Sequence, residues 1–327
     1  MIDPDKRIIT ITNSARDEFD SCRYKTYLSH FYKGVGIAPV MPSAPFRWGS
    51  CMHLALEQHY AGMPCDMAVG HALRYYSDLL AQPDVFISED AAVKIEKEMA
   101  MIEGFMPAYV EIYSDDAEKF EIVGQELVLS RHIGSIKDND GDIWTIMYSG
   151  KIDMLLRRHS DQQLVVLDHK SVSMFQESHH DKLQFDYQTT GYCWLAEQLS
   201  DEPVRNVIYN CIRKSALRGK GGESRRQLAS RIRDDYLERP ETYFKRLTPV
   251  RTAEQKNELI AAVNLVANDL LRTYKTDAWR KNMAPCSIYS GCQFLSICGS
   301  GVVDDTVNFR LKVESHEELA NADSEEW

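Results

Sequence analysis

A change of hydrophobic period at Phe120 restricts the fold more than any other feature of this sequence. Before it the spacing is helical: His53, Leu56, Glu57 and Tyr60 recur at three and four within a helix expected over 45–62, with others over 66–80 and 89–113. After it the period is two, in Glu121–Leu129, Trp144–Tyr148 and Lys151–Leu156, with Leu164–Leu167 following. Asp138-Asn139-Asp140-Gly141 supplies a turn between the first two runs. A helix over 182–199, a strand over 206–212, a basic loop and a long helix over 252–279 complete the pattern. Helices, then a meander of strands, then helix, strand and helix predict the α/β class, with a central mixed sheet flanked by helices. An earlier helix carries Cys22, Tyr24 and Tyr27, with Ser14 as its N-cap and Asp17 and Glu18 in its first turn.

At 327 residues the chain is long enough to bury about three quarters of the surface it exposes when unfolded, so it needs no disulfide scaffold. No apolar run approaches the roughly 18–20 residues of a bilayer span, and Met1–Arg7 lacks the form of a signal peptide. The expectation is a cytoplasmic protein with no membrane association. Its eight cysteines then read as thiols or metal ligands. Cys51, Cys65, Cys193 and Cys211 fall in no grouping and read as structural thiols.

The net charge of -11 excludes a protein that coats DNA through bulk positive charge. The charge is unevenly spread. Residues 205–251 hold 13 Lys+Arg against 5 Asp+Glu, a net of +8, whereas 84–121 carry -8 and 301–327 carry -6. Arg213, Lys214, Arg218, Lys220, Arg225 and Arg226 make the basic stretch, loosened by Gly219, Gly221 and Gly222, a candidate DNA-tracking flap as well as a simple solvated loop. The segment 301–327 reads as a mobile acidic tail able to compete with DNA for that loop.

The chemistry is concentrated in Gly150-Lys151-Ile152-Asp153 and Leu164-Val165-Val166-Leu167-Asp168-His169-Lys170. Asp168 and Lys170 are two apart on a strand and share a face. In an antiparallel hairpin whose paired numbers sum to 321, Asp153 stands opposite Asp168, with Cβ atoms about 4.5–5.5 Å apart. Two carboxylates that close repel each other unless a cation lies between them, and an open oxygen shell suits Mg²⁺ or Mn²⁺. Two acids, a divalent cation and a lysine serve phosphodiester hydrolysis. Alone, Asp168-His169-Lys170 could equally end a strand in polar residues.

Three motifs together carry a resemblance: the Gly150–Asp153 strand, the apolar strand ending in Asp168–Lys170, and Gln188-Thr189-Thr190-Gly191-Tyr192 on the next helix. The chain resembles the PD-(D/E)XK nuclease superfamily, in particular the branch of the RecB and AddB nuclease domains and the iron-sulfur exonucleases of CRISPR adaptation. The resemblance spans Ser14 to Cys298. It implies a restriction-endonuclease-like core with a helical insertion, catalytic roles for Asp153, Asp168, Lys170, Gln188 and Tyr192, and His53, in Gly49-Ser50-Cys51-Met52-His53, as a third ligand beside Asp153 and Asp168. Imidazole in that set tilts selectivity towards manganese. Glu57, one turn on, is a further candidate.

Cys286, Cys292 and Cys298 are each six positions apart, one ligand short of a cluster or structural zinc. The resemblance implies Cys22, in Cys22-Arg23-Tyr24-Lys25-Thr26-Tyr27, as the fourth ligand of a 4Fe-4S cluster in an iron-sulfur lobe that joins the two ends of the chain. Zinc and unligated thiols stay open, and Tyr289, three before Cys292, departs from the usual family spacing. The expected organisation is a nuclease domain over 1–300, with a helical part at about 14–118, a catalytic core at about 119–215, a basic loop and C-terminal helix at 216–280 and a cysteine-rich segment at 281–300, followed by the tail.

The resulting expectation is a divalent-metal-dependent deoxyribonuclease, an exonuclease on single-stranded DNA ends in recombination, repair or phage DNA processing. No Gly-x-x-x-x-Gly-Lys-Ser/Thr occurs, so there is no ATP site and unwinding would fall to a helicase or recombinase partner. The alternatives are a non-catalytic subunit that binds DNA ends and a structural metal protein unrelated to nucleic acid.

Overall fold

The Leu164–Leu167 run is apolar at every position because the strand that contains it is covered on both faces. The structure, a computed structural model, describes residues 1–81, 89–175, 181–287, 291–303 and 308–319. In chain order the elements are β1 (Ile2–Asp3), β2 (Ile8–Ile11), α1 (Asn13–Ser21), α2 (Arg23–Thr26), β3 (Ile37–Pro39), α3 (Ala44–Tyr60), α4 (Cys65–Leu80), α5 (Glu89–Ile112), α6 (Asp116–Lys119), β4 (Phe120–Lys137), β5 (Ile143–Arg158) and β6 (Leu164–Val172). They continue as α7 (Tyr187–Ser200), β7 (Asn206–Arg213), α8 (Arg225–Glu238), α9 (Pro240–Tyr243), β8 (Phe244–Leu247), α10 (Ala253–Thr276), α11 (Leu295–Ser300) and β9 (Phe309–Leu311).

The main sheet runs β1-β2-β5-β6-β7-β8, with β4 on the other edge of β5, and it is mixed, since β2–β5 and β6–β7 are parallel. One core cluster joins α1, α7 and α10 to the sheet through Phe19, Leu195, Val263, Ile146 and Val166. A second gathers α3, α4, α5 and α8 around Trp48, Phe105 and Tyr236 and reaches the sheet at Ile212 and Phe244. The α/β core with a central mixed sheet flanked by helices is as expected. No helix among the described residues is long and apolar enough to cross a membrane.

Strand β5 creates the site. Along one edge it pairs with β4, and it shares the other between β2, opposite Thr145–Tyr148, and β6, opposite Met154–Arg157. Between those two partners, Ser149–Asp153 has no strand on that edge. A gap where neighbouring strands diverge is a natural place for a ligand.

Several elements differ from the sequence-based expectation, each for a local reason. Trp144–Tyr148 and Lys151–Leu156 are one strand, because Gly150 lets β5 run on under α7: a Cβ there would lie 3.1 Å from Leu195 and 3.3 Å from Tyr192. The strand begun at Glu121 extends to Lys137 and carries two bulges, with Val123 and Ile133 as the extra residues. The first helix is capped by Thr12 and starts at Asn13, so its first turn holds no acid. Part of the basic stretch is helix α8, opened by a capping box between Ser224 and Gln227. The acidic segment is not wholly a free tail, since Phe309–Leu311 pairs with Ile37–Pro39; its residues 304–307 and 320–327 lie outside the described residues.

The expected iron-sulfur lobe is not formed. Cys22, Cys286, Cys292 and Cys298 line one cavity of about 1340 Å³, but no three of them bring Sγ atoms within 4.8 Å of one another. The thiols sit on a loop, a 3₁₀ turn, a second loop and α11, and equal sequence spacing does not make such positions converge. Cys22 Sγ instead accepts the Asn282 N–H at 3.4 Å, and Cys286 donates to the Asn282 carbonyl at 3.7 Å. The two ends of the chain are joined by apolar packing of Leu28, Ile37, Phe294, Ile297 and Phe309. Of the four other cysteines, Cys51, Cys193 and Cys211 are buried and Cys65 is half-buried.

Helix α7 crosses β5 so closely that a Cβ on Gly191 would lie 1.9 Å from Tyr148 Oη. Gly191→Ala is expected to destabilise the fold by about 1–3 kcal/mol. Tyr148→Phe should restore part of that loss, because the next ring atom is 2.8 Å away. Urea denaturation of the two single variants and the double variant checks both statements, and an unchanged midpoint for Gly191→Ala would sink them.

Candidate metal centre

Helix α3 and strands β4, β5 and β6 each deliver one side chain or more to the end of the β5 gap. The β5–β6 ladder pairs Met154 with Leu167 and Leu155 with Val166, in the register that sums to 321, and stops there. One step further, the same register would set Asp153 against Asp168, but the ladder ends before them. Where the strands part, Asp153 Oδ2 accepts the His169 N–H at 2.7 Å. On the other edge, Gln125 faces Met154 and Leu127 faces Ile152, which sets Glu126 opposite Asp153. Helix α3 brings His53 Nδ1 to 3.4 Å from Asp153 Oδ2.

Among the described residues, the one group of three or more His, Cys, Asp or Glu side chains with ligand atoms within 4.8 Å of one another is His53, Glu126 and Asp153. Two of the three expected ligands, His53 and Asp153, are therefore together. Asp168 is outside the set, and Glu126 is the residue that sequence reasoning missed. Its signal was hidden by the bulges, because a ladder carried straight from the turn, where Lys137 faces Ile143, would place Leu127 opposite Asp153. Glu126 has a φ of 50°, which an ordinary strand would not require. Glu57 remains nearby, its carboxyl pushed up by burial and by the Glu126 charge.

Asp168 is buried, with 1% exposure; Oδ1 accepts from Lys170 Nζ at 2.8 Å, and Oδ2 has no hydrogen-bond partner. Burial and the Asp153 charge raise its carboxyl to about 6, against the pull of Lys170. Burial also raises Asp153, while the Lys170 charge and the His169 N–H oppose it. For Lys170, burial works against the ammonium, but Asp168 and Asp153 outweigh it and its pKa rises. Burial, then the Lys170 charge, lowers His53, which keeps the imidazole neutral and able to donate a lone pair. Two carboxylates that resist ionisation, a neutral imidazole and an orphaned buried oxygen are the donor set of a divalent cation site.

Gln188 and Tyr192 lie one turn apart on α7, and Gln188 Nε2 donates to Tyr192 Oη at 3.0 Å. Burial and the Asp168 and Asp153 charges raise the Tyr192 phenol, so it stays protonated. Both residues line a cavity of about 210 Å³ together with Glu126, Asp153, Lys151 and the start of α1. Lys151 is ion-paired with Glu126.

The six expected DNA-binding residues have different surroundings. Arg225 pairs with Glu96 and Glu103 on α5, Lys214 is half-buried over the Trp48 ring, and Arg213 Nε donates to the Ser173 carbonyl. Arg218, Lys220 and Arg226 have exposed side chains.

With this geometry in view, the comparison with known families is decisive. A model of the PD-(D/E)XK nuclease superfamily matches residues 10–299. The chain belongs to that superfamily. Among solved structures, an exonuclease candidate from Eubacterium rectale is similar at 10% identity over 91% of each chain, with a TM-score of 0.43. SSO0001 is similar at 13% identity over 78% of this chain and 86% of that chain, with a TM-score of 0.30. No curated protein matches. The protein is thus a member of the nuclease superfamily with a candidate His53–Glu126–Asp153 metal site.

Proposed function

We propose that the protein is a divalent-metal-dependent deoxyribonuclease, an exonuclease that hydrolyses phosphodiester bonds at single-stranded DNA ends in recombination, repair or phage DNA processing. The observation that carries the reading is the convergence of His53, Glu126 and Asp153 beside Asp168 and Lys170 where β5 and β6 part. A Mn²⁺ or Mg²⁺ ion held by those side chains would supply Lewis acidity at the phosphate and acidify the attacking water. Asp153 and Glu126, on neighbouring strands, would hold the ion with His53, and Asp168 Oδ2, which has no hydrogen-bond partner, would offer a further oxygen. Lys170, kept charged by Asp168, offers positive charge to the negative charge that develops on the phosphoryl oxygens. Tyr192, which accepts from Gln188 and stays protonated, has its own O–H free to donate to the strand. Arg218, Lys220 and Arg226, whose side chains are exposed, would meet further phosphates of the strand. Strand separation is left to a helicase or recombinase partner.

The test is degradation of end-labelled single- and double-stranded DNA by the Mn²⁺-supplied protein. Failure on both substrates sinks the reading. Two further results are expected. Glu126→Gln should weaken Mn²⁺ binding about 10–100-fold, measured by isothermal titration calorimetry. Mn²⁺ affinity should also fall as pH drops through about 6, where Asp168 takes up its proton, and hold above it. Affinity flat between pH 7.5 and about 5 would contradict that assignment.

A further inference from the structure

Strand β2 ends at Ile11, beside the gap in β5, and the chain turns directly into α1. Thr12, Asn13 and Ser14 line the same cavity as Asp153 and Tyr192. The first N–H groups of a helix have no intrahelical acceptor. Thr12 Oγ1 takes that of Ala15 at 3.2 Å and the Thr12 carbonyl takes that of Arg16, so the cap does not reach the N–H groups of Asn13 and Ser14. No acid in the first turn offsets the positive end of the helix dipole.

Asn13 supplies the second, independent observation. It is only 6% exposed, and neither Oδ1 nor Nδ2 has a hydrogen-bond partner. A buried amide with both ends unpaired is unusual and is explained by a ligand that completes it. In the same helix, Arg16, outside the cavity lining, is 7% exposed with Nε and Nη2 donating to Asp17 Oδ1, its guanidinium over the Tyr187 ring and Nη1 unpartnered. The donors at this end of the cavity suit an anion, while Glu126 and Asp153 at the other end admit one only together with a cation.

We propose that Asn13 and the first turn of α1 bind a non-scissile phosphate of the DNA strand, next to the phosphate cleaved at the metal centre. Nδ2 and the free N–H groups donate to its non-bridging oxygens, and Oδ1 accepts from water carried with the strand. The inference rests on the nuclease reading above and adds to it a subsite that registers the strand.

The test is fluorescence anisotropy with the full-length protein, Ca²⁺ in place of Mn²⁺, and a short fluorescein-labelled oligothymidylate carrying one neutral methylphosphonate at each linkage in turn. At one linkage the wild type is expected to lose about tenfold in affinity. Asn13→Leu should lose about the same on the unmodified strand and nothing more on the modified one, and Asn13→Asp should bind more weakly still. Should Asn13→Leu fail to fold, Asn13→Asp carries the same comparison. The proposal is overturned if no linkage matters to the wild type, or if the loss at every linkage is the same with and without Asn13. If the wild type cuts DNA with Mn²⁺ but shows either pattern, the subsite alone is wrong. If it neither binds nor cuts, the nuclease reading falls and takes the subsite with it.

Discussion

Lys170→Met is expected to lower Mn²⁺-dependent DNA hydrolysis by about 10²–10³-fold, mostly in kcat, with the fold intact. Removing one preorganised charge at a phosphoryl centre has an effect of that order. The side chain is held for the purpose: Nζ lies 2.8 Å from Asp168 Oδ1, and the two acids keep it protonated against the cost of burial. A second consequence separates this role from a merely structural one. Without the ammonium, the largest influence opposing burial and the Asp153 charge on Asp168 is lost, so its carboxyl rises further and the pH below which Mn²⁺ affinity is lost moves up. Asp168→Asn is expected to abolish the pH dependence near 6 as well as the activity. Single-turnover cleavage of a labelled strand, with calorimetric Mn²⁺ titrations from pH 5 to 8, measures both. Activity within a few-fold of wild type for Lys170→Met would remove the lysine from the mechanism.

The second large effect lies behind the site. Arg47, near the start of α3, makes two bonds to Glu98 on α5, Nε to Oε2 at 3.0 Å and Nη2 to Oε1 at 2.7 Å, while Tyr76 on α4 donates to Glu98 at 3.1 Å. Both charged residues are under 9% exposed. Breaking a buried pair strands the remaining charge, so Arg47→Met is expected to cost about 3–5 kcal/mol. Adding Glu98→Leu should recover much of it. The same helix carries His53, so the single variant should also bind Mn²⁺ more weakly, and the double variant should regain affinity with stability. Denaturant midpoints that do not respond to the second substitution would show that the loss comes from packing rather than from the unpaired carboxylate.

The sheet core was legible because its signals are local. Leu164–Leu167 followed by Asp168 announces a strand that leads into a polar site, and the nearness of Asp153 to Asp168 follows from the hairpin register, although the ladder itself stops at Met154 and Leu167. Helix limits set by caps were readable to within a few residues, as with Thr252 and Gln255 at the start of α10. The same signal stood in Ser224-Arg225-Arg226-Gln227, where the concentration of arginine obscured it. Ile8–Ile11 is too short a run to stand out, although its pairing with β5 is what brings α1 to the site. Cysteine spacing failed for a different reason. Sequence intervals constrain where along the chain a thiol lies, but the direction of its Sγ depends on the turn and helix that carry it, and those were not encoded in the intervals. Glu126 was unreadable because each bulge re-phases a strand by one residue, and neither bulge carries a composition of its own.

That re-phasing governs how the gene can change length. Between Gly124 and His132, β4 is held against β5 in one register, anchored at the turn that follows Lys137. Deleting a single codon between Glu126 and His132 would draw Gln125 opposite Asp153, exchange a carboxylate for an amide, and turn the side chains on the N-terminal side of the deletion to the opposite face of β4. Codon gains and losses in this stretch are therefore expected to remove a metal ligand and re-face the strand in one event, whereas in the Asp138–Asp142 turn they would disturb the Asp138 carboxylate that accepts from Trp144 and Lys275.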